Sequence, residues 1–119
     1  HVTSNTEVLD LSAGLLRQVM DPTAILLAGI LKVNSVLRSV DLSKNLIKET
    51  GGRSLAEACH SNSTLTALNL TGNLIGDAGG KAFAAMLEAN HSLRSLHLGQ
   101  CTLSSDSARS FAHLHQLYM

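Results

Sequence analysis

The 119-residue chain is long enough for one domain with a continuous core and too short for two, and its nine Lys plus Arg balance nine Asp plus Glu. That neutral balance, with two Phe, one Tyr and no Trp, argues against a basic nucleic-acid face and leaves no base-stacking platform. The longest apolar run, Ala24 to Leu31, is too short to span a bilayer, and no signal-peptide pattern opens the chain.

In chain order, Val8-Leu9-Asp10-Leu11-Ser12 alternates with a period of two, which predicts a strand with Leu9 and Leu11 on one face. A linker containing Leu15 and Leu16 follows, and Leu16 is read as the core residue of this turn. Asp21-Pro22 then reads as an N-cap and a first-position proline, opening a helix with an apolar surface that runs to Val33. Ser39 to Ser43 repeats the first strand position for position. Leu37, Val40, Leu42, Asn45 and Ile47 then form the frame L-x-x-L-x-L-x-x-N-x-I. Asn45 is suited to satisfying backbone groups left unpaired where the chain turns out of the sheet. The following helix carries Gly52, predicted to let it approach the sheet closely. Leu55 and Cys59 lie four apart on its apolar face.

The same frame restarts at Leu65 and Leu93, each 28 residues after the last. Leu65 to Ser92 is the most regular copy, with Asp77 as the expected N-cap. The final copy has Cys101 in place of Asn73 and Ser105 as the expected cap. His60 and His91 are expected at helix ends, where positive charge is favoured. The repeats are therefore placed at 6–36, 37–64, 65–92 and 93–119 of a single domain.

This frame, with its period and a true helix in each copy, resembles the ribonuclease-inhibitor type of leucine-rich repeat. The segment Asn73-Leu74-Ile75-Gly76-Asp77-Ala78-Gly79 resembles it most, and Asn45-Leu46-Ile47 repeats its opening. The resemblance implies an α/β right-handed horseshoe, or solenoid, with a short parallel sheet inside and helices outside. It implies protein–protein interaction without a cofactor. Similar repeats occur in ribonuclease inhibitor, NOD-like receptor sensor regions, Ran GTPase-activating proteins, tropomodulin-like actin-capping proteins and bacterial effectors. A GTPase-regulating module or part of an innate-immune sensor is therefore the alternative to a general scaffold.

In such a fold the outward strand positions line a concave face. They include Asp10 and Ser12, then Ser39, Asp41 and Ser43, then Asn69 and Thr71, then Ser95 and His97. The central column, Asp10-Asp41-Asn69-His97, suits a hydrogen-bonding surface for a protein partner; it also suits the polar facing that any half-exposed sheet needs. Leu15, Leu46 and Leu74 are expected to point partly outward, as an apolar ridge along one rim or as ordinary surface leucines.

Catalysis is not expected: Asp41 and His97 are separated by two strand spacings, roughly 9–10 Å, too far for a hydrogen bond. His113 and His115, at i and i+2, fall on different helix faces and make no metal pair. Gly76, Gly79, Gly80 and Lys81 lack the spacing of a phosphate loop. Asn62, Asn69 and Asn90 begin N-x-Ser/Thr sequons at positions the repeat itself fills with these residues. Cys59 and Cys101 sit at repeat-determined positions, are read as structural, and fit a reducing, cytoplasmic location.

Four short strands give a face roughly 15–20 Å on each side, less than the about 800 Å² per partner of a stable interface. The partner is therefore expected to grip the rim loops as well, or the chain to be a segment of a longer horseshoe, which also suits His1 in place of Met. Uncapped solenoid ends make self-association through an end a further expectation.

Overall fold

A computed structural model describes residues 7–12 and 18–111. Leu15 and Leu16, and the His113–His115 pair, lie outside the described residues.

Among the described residues four three-residue strands alternate with four helices: β1 (Val8–Asp10), α1 (Asp21–Val33), β2 (Ser39–Asp41), α2 (Glu49–Ser61), β3 (Ala67–Asn69), α3 (Gly76–Ala89), β4 (Ser95–His97) and α4 (Ser105–Phe111). The strands form one parallel sheet in sequence order, β1-β2-β3-β4. α1, α2 and α3 each carry the chain from one strand to the start of the next, as parallel pairing requires. Among the described residues helices pack only on sequence neighbours: α1 on α2, α2 on α3, and α3 on α4. This is the right-handed α/β leucine-rich solenoid expected of the repeat.

The strand alternation places one residue of each strand in the core. Leu9, Val40, Leu68 and Leu96 are buried between sheet and helices, and Leu42, Leu70 and Leu98 follow them inward. Leu27, Leu31, Leu55, Cys59 and Phe83 meet them from the helix side. Truncating one such leucine to alanine costs about 2–5 kcal/mol through lost burial and the residual cavity.

The loops out of the sheet are held by a ladder of side-chain amides. Asn45 Nδ2 donates to the carbonyls of Leu11 and Leu42, each at 2.9 Å, and Asn45 Oδ1 accepts from Val19 N–H at 2.7 Å. Asn73 Nδ2 donates to Leu42 and Leu70 at 2.8 and 2.9 Å, and Asn73 Oδ1 accepts from Ile47 N–H at 3.1 Å. In the last repeat Cys101 Sγ takes the donor role toward Leu70 O at 2.9 Å.

A second ladder runs along the helix C-termini. Asn62 Nδ2 donates to the carbonyls of Leu31 and Asn34 at 2.8 and 3.0 Å, and Asn90 Nδ2 to those of Cys59 and Asn62 at 2.7 and 3.0 Å. Asn62 Oδ1 accepts from Leu65 N–H and Asn90 Oδ1 from Leu93 N–H, each at 2.7 Å. The amides of these two sequons are thus engaged in repeat-to-repeat bonding.

Several local expectations are corrected. Asp21 and Asp77 do not cap their own helices; the N-cap positions are Met20 and Ile75, with no side-chain cap bond. Asp21 Oδ1 instead accepts from Lys48 N–H at 2.6 Å, in the following repeat. Asp77 Oδ1 accepts from Ser104 N–H at 2.8 Å, and Asp77 Oδ2 from Ser104 Oγ–H at 2.6 Å. Ser104 rather than Ser105 caps α4, its Oγ accepting from Asp106 N–H at 3.2 Å. His91 lies past the α3 C-cap, Asn90, whereas His60 is in the last turn of α2.

Gly51 and Gly52 serve stacking along the solenoid rather than helix-on-sheet approach. A Cβ at Gly51 would stand 2.6 Å from Asp21 Oδ1 and 3.1 Å from Ala24 Cβ of the preceding helix. At Gly52 it would stand 2.9 Å from Ile75 Cδ1 of the following repeat. In the first repeat Val19 takes the register position of Ile47: Leu46 N–H donates to Val19 O, as Leu74 N–H donates to Ile47 O. The same register places Gln18 beside Leu46 and Leu74.

Candidate protein-binding surface

The strand register assembles the polar column as spaced in the sequence. Asp10 pairs with Asp41, Asp41 with Asn69, and Asn69 with His97. Val8, Ser39, Ala67 and Ser95 form the neighbouring row. Ser12, Ser43 and Thr71 follow the column two residues further along each strand. With strands about 4.8 Å apart, the column spans about 14 Å from Asp10 to His97.

Local bonds fix the first three members. Asp10 Oδ1 accepts from Ser12 N–H at 2.9 Å and from Ser12 Oγ–H at 2.7 Å. Asp41 Oδ1 accepts from Ser43 N–H at 2.9 Å, and Asn69 Oδ1 from Thr71 N–H at 3.0 Å. These are Asx-type turns, which bend the chain out of the strand while holding the side chain in one rotamer. The Ser12 hydroxyl and N–H hold the Asp10 carboxyl below its ordinary range. At the other end Ser95 Oγ and His97 Nε2 are 2.9 Å apart, a contact between same-face neighbours of one strand that residue spacing alone does not reveal. Asp10 and His97 are exposed, while Asp41 and Asn69 are half-buried.

The face therefore grades from two carboxylates at the β1–β2 side to an imidazole at β4. Donors and cations suit its first half. Along the rim Leu74 is exposed and Leu46 half-buried. Lys44, Gly72 and Gln100 share one turn position and all have positive φ, 59°, 80° and 55°. The turn geometry demands this conformation, which only glycine adopts without strain.

Neither cysteine is poised for chemistry. Burial pushes the Cys59 thiol up to about 12. It also raises that of Cys101, against hydrogen bonds from the Asn73 and Gly72 backbone. Among the described residues no group of three or more His, Cys, Asp or Glu is placed to hold a metal ion, and no helix is long and apolar enough to cross a membrane.

Comparison with known proteins agrees with this architecture. The family model described as Leucine Rich repeat matches residues 33–56, 61–84 and 89–112. A search of curated proteins gives no match. Among solved structures the chain is similar to "Leiomodin-1 Actin-Binding Site 2 (ABS2)", with a TM-score of 0.76 at 20% identity over 88% of this chain. The chain spans 62% of the length of that solved chain. With three family matches in phase with three βα units, the chain belongs to the leucine-rich-repeat family.

Proposed function

We propose that the chain is a protein–protein interaction scaffold. Its partner lies on the concave face across Asp10, Asp41, Asn69 and His97, and reaches the rim at Leu46 and Leu74. The reading rests chiefly on the in-register polar column, whose first three members are tied to the backbone two residues further on. Side chains already held in one rotamer lose little entropy on binding, so their hydrogen bonds contribute more of their strength to affinity. The similar solved structure is described as an actin-binding site, which supports a protein as the partner class. The function is binding rather than catalysis.

The size of the face shapes the mode of binding. Three rows by four strands cover only a few hundred Å², against about 800 Å² per partner for a stable complex. Contacts on the rim loops supply the difference, and basic or donor groups of the partner face Asp10 and Asp41. The test is capture from cell extract on the immobilised chain, compared with Asp41→Arg, Asn69→Arg and the convex-face control Arg53→Glu. Specific partners are expected to be lost with both concave variants and kept with the control. Undiminished capture by both concave variants overturns the proposal.

A further inference from the structure

The outer surface of α1 departs from that of the two helices that follow it. The helices share a 28-residue register, so Ile25 corresponds to Arg53 and Lys81, Gly29 to Glu57 and Ala85, and Val33 to Ser61 and Ala89. All six counterparts are exposed: they lie on the convex side, which the stacking of one repeat on another leaves in water. In α1 that side is apolar. Ile25 is 42% and Val33 84% exposed, and Leu26 and Ile30 beside them are 71% and 54% exposed. Around the helix from Ile25 through Gly29, Pro22, Val33 and Leu26 to Ile30, no side chain is charged.

A further repeat stacked on α1 in the manner of the others does not account for this surface. It would leave Ile25 and Val33 in water, as stacking leaves their counterparts. It would also meet side chains where the α1–α2 boundary has none. A Cβ at Gly51 would stand 2.6 Å from Asp21 Oδ1 and 3.1 Å from Ala24 Cβ of the preceding helix, and Thr23 holds that register position in α1. Leu26 likewise stands where α2 and α3 carry the smaller Ser54 and Ala82. A lipid surface is no better match, since the face offers no Lys, Arg or aromatic side chain to a headgroup layer.

We propose that two copies of the chain associate through this face of α1, the helices running antiparallel about a two-fold axis that passes between Leu26 and Gly29. The face is complementary to itself in shape. Pro22, Leu26, Gly29 and Val33 lie in one row at i, i+4, i+7 and i+11, and the antiparallel two-fold sets Leu26 of each copy over Gly29 of the other. A Cβ at Gly29 would have nothing within 4 Å, so packing within the chain does not require glycine there, and mid-helix glycine is disfavoured against alanine. Close approach of a second helix does use it. The charges match as well. Asp21 in the first turn and Lys32 in the last lie about three turns apart on one flank of the face. The two-fold axis reverses the helix direction and keeps the flank, so Lys32 of each copy comes toward Asp21 of the other. Ile25, Leu26, Ile30 and Val33 expose on the order of 400 Å² in each copy. The pair therefore buries about 800 Å² of apolar surface before its polar flanks are counted, a weak but specific contact. A two-fold contact closes on itself, so assembly stops at the dimer.

The experiment is light scattering of the full chain from about 10 µM to about 1 mM, with Gly29→Gln, Leu26→Glu and the convex-side control Lys81→Glu. The wild-type mass is expected to rise from the chain mass of 12.6 kDa toward twice that value and to stop there. Gly29→Gln puts a better helix former where a Cβ meets nothing, so its thermal melt at the lowest concentration is expected to match or exceed that of the wild type. Its dimer dissociation constant is nevertheless expected to rise at least about tenfold. Leu26→Glu is expected to stay monomeric with the wild-type circular dichroism, and Lys81→Glu to dimerise as the wild type does. Mild oxidation of Leu26→Cys mixed with Gly29→Cys is expected to link the two variants to each other rather than each to itself; Cys59 and Cys101 are buried. A wild type that remains monomeric throughout overturns the proposal. So does a mass that climbs past the dimer, a Gly29→Gln or Leu26→Glu dimer as tight as the wild type, or cross-linking of each cysteine variant chiefly to itself.

Discussion

The side-chain amide of Asn73 donates to the carbonyl of Leu42, in the preceding repeat, at 2.8 Å, while its oxygen accepts the N–H of Ile47 in that same repeat. Asn73 is fully buried, so each of these backbone groups lies beyond the reach of water. Replacing Asn73 with Ala leaves buried donors and acceptors without partners and is expected to cost about 2–4 kcal/mol. At Cys101, where a weak thiol donor meets Leu70 O, the change to Ala is expected to cost about 1–2 kcal/mol. Urea unfolding of the two variants checks the order; a Cys101 variant less stable than the Asn73 variant contradicts it.

Asp77 ties α3 to the start of α4, and its carboxyl is lowered to about 2 by the hydroxyls of Ser104 and Ser107 and the N–H of Ser104. A group whose folded pKa lies below its unfolded value of 3.8 binds its proton first in the unfolded chain. Its contribution to stability is therefore complete above about pH 4 and is lost as the pH falls through about 2. Denaturant midpoints measured from pH 5 to pH 2 are expected to fall less steeply in Asp77→Asn than in the wild type. The lowered carboxyl of Asp10 leaves a residual slope in the variant. Identical slopes for the two proteins would show that the tie is not made in solution.

With its thiol pushed up to about 12 and 1% exposed, Cys59 is protected twice over. Alkylating reagents at mildly alkaline pH are expected to leave it unmodified in the folded protein and to label it at a rate that follows unfolding. Mass spectrometry across a denaturant series reads this directly. Rapid labelling without denaturant would mean that the helix face opens locally.

Lys44, at φ 59°, holds a conformation that Gly72 holds freely in the next repeat. Lys44→Gly relieves the left-handed strain but adds chain entropy to the unfolded state. The balance is expected to stabilise the protein by about 0.5–1 kcal/mol. Thr102, β-branched at φ 58°, is more strained, so Thr102→Gly is expected to gain at least as much. Thermal melts that fall for both variants would refute the assignment of strain.

The spacing of leucines makes the core legible in the sequence, because Leu68, Leu70 and Phe83 can satisfy only one face of their elements. The concave column is legible for the same reason: a fixed repeat and a period-two strand determine which side chains align. The roles of Asp21 and Asp77 are not. An acidic residue at a helix start reads as a cap, and nothing local shows that its partner lies 27 residues onward. Asn62 and Asn90 stand out as sequons because their carbonyl partners belong to the preceding repeat. The phase of the first linker is set by the bonds of Val19 with Leu46 and Asn45, which nothing local in the sequence shows. The repeat places His97 on the face, but its contact with Ser95 depends on rotamers that spacing does not determine.

Asp21, Asn62, Asn73 and Asp77 all bond across a single repeat boundary, and among the described residues helices pack only on their neighbours. Such a molecule has a distinctive response to mechanical load. Tension applied to its two ends acts on boundaries in series, so the weakest terminal unit detaches while the interior stays folded. Each interior repeat then yields 28 residues, roughly 90–100 Å of extended chain. Pulled in this way, the solenoid behaves as a row of latches that release one after another, and its extension record should show evenly spaced steps rather than one collapse.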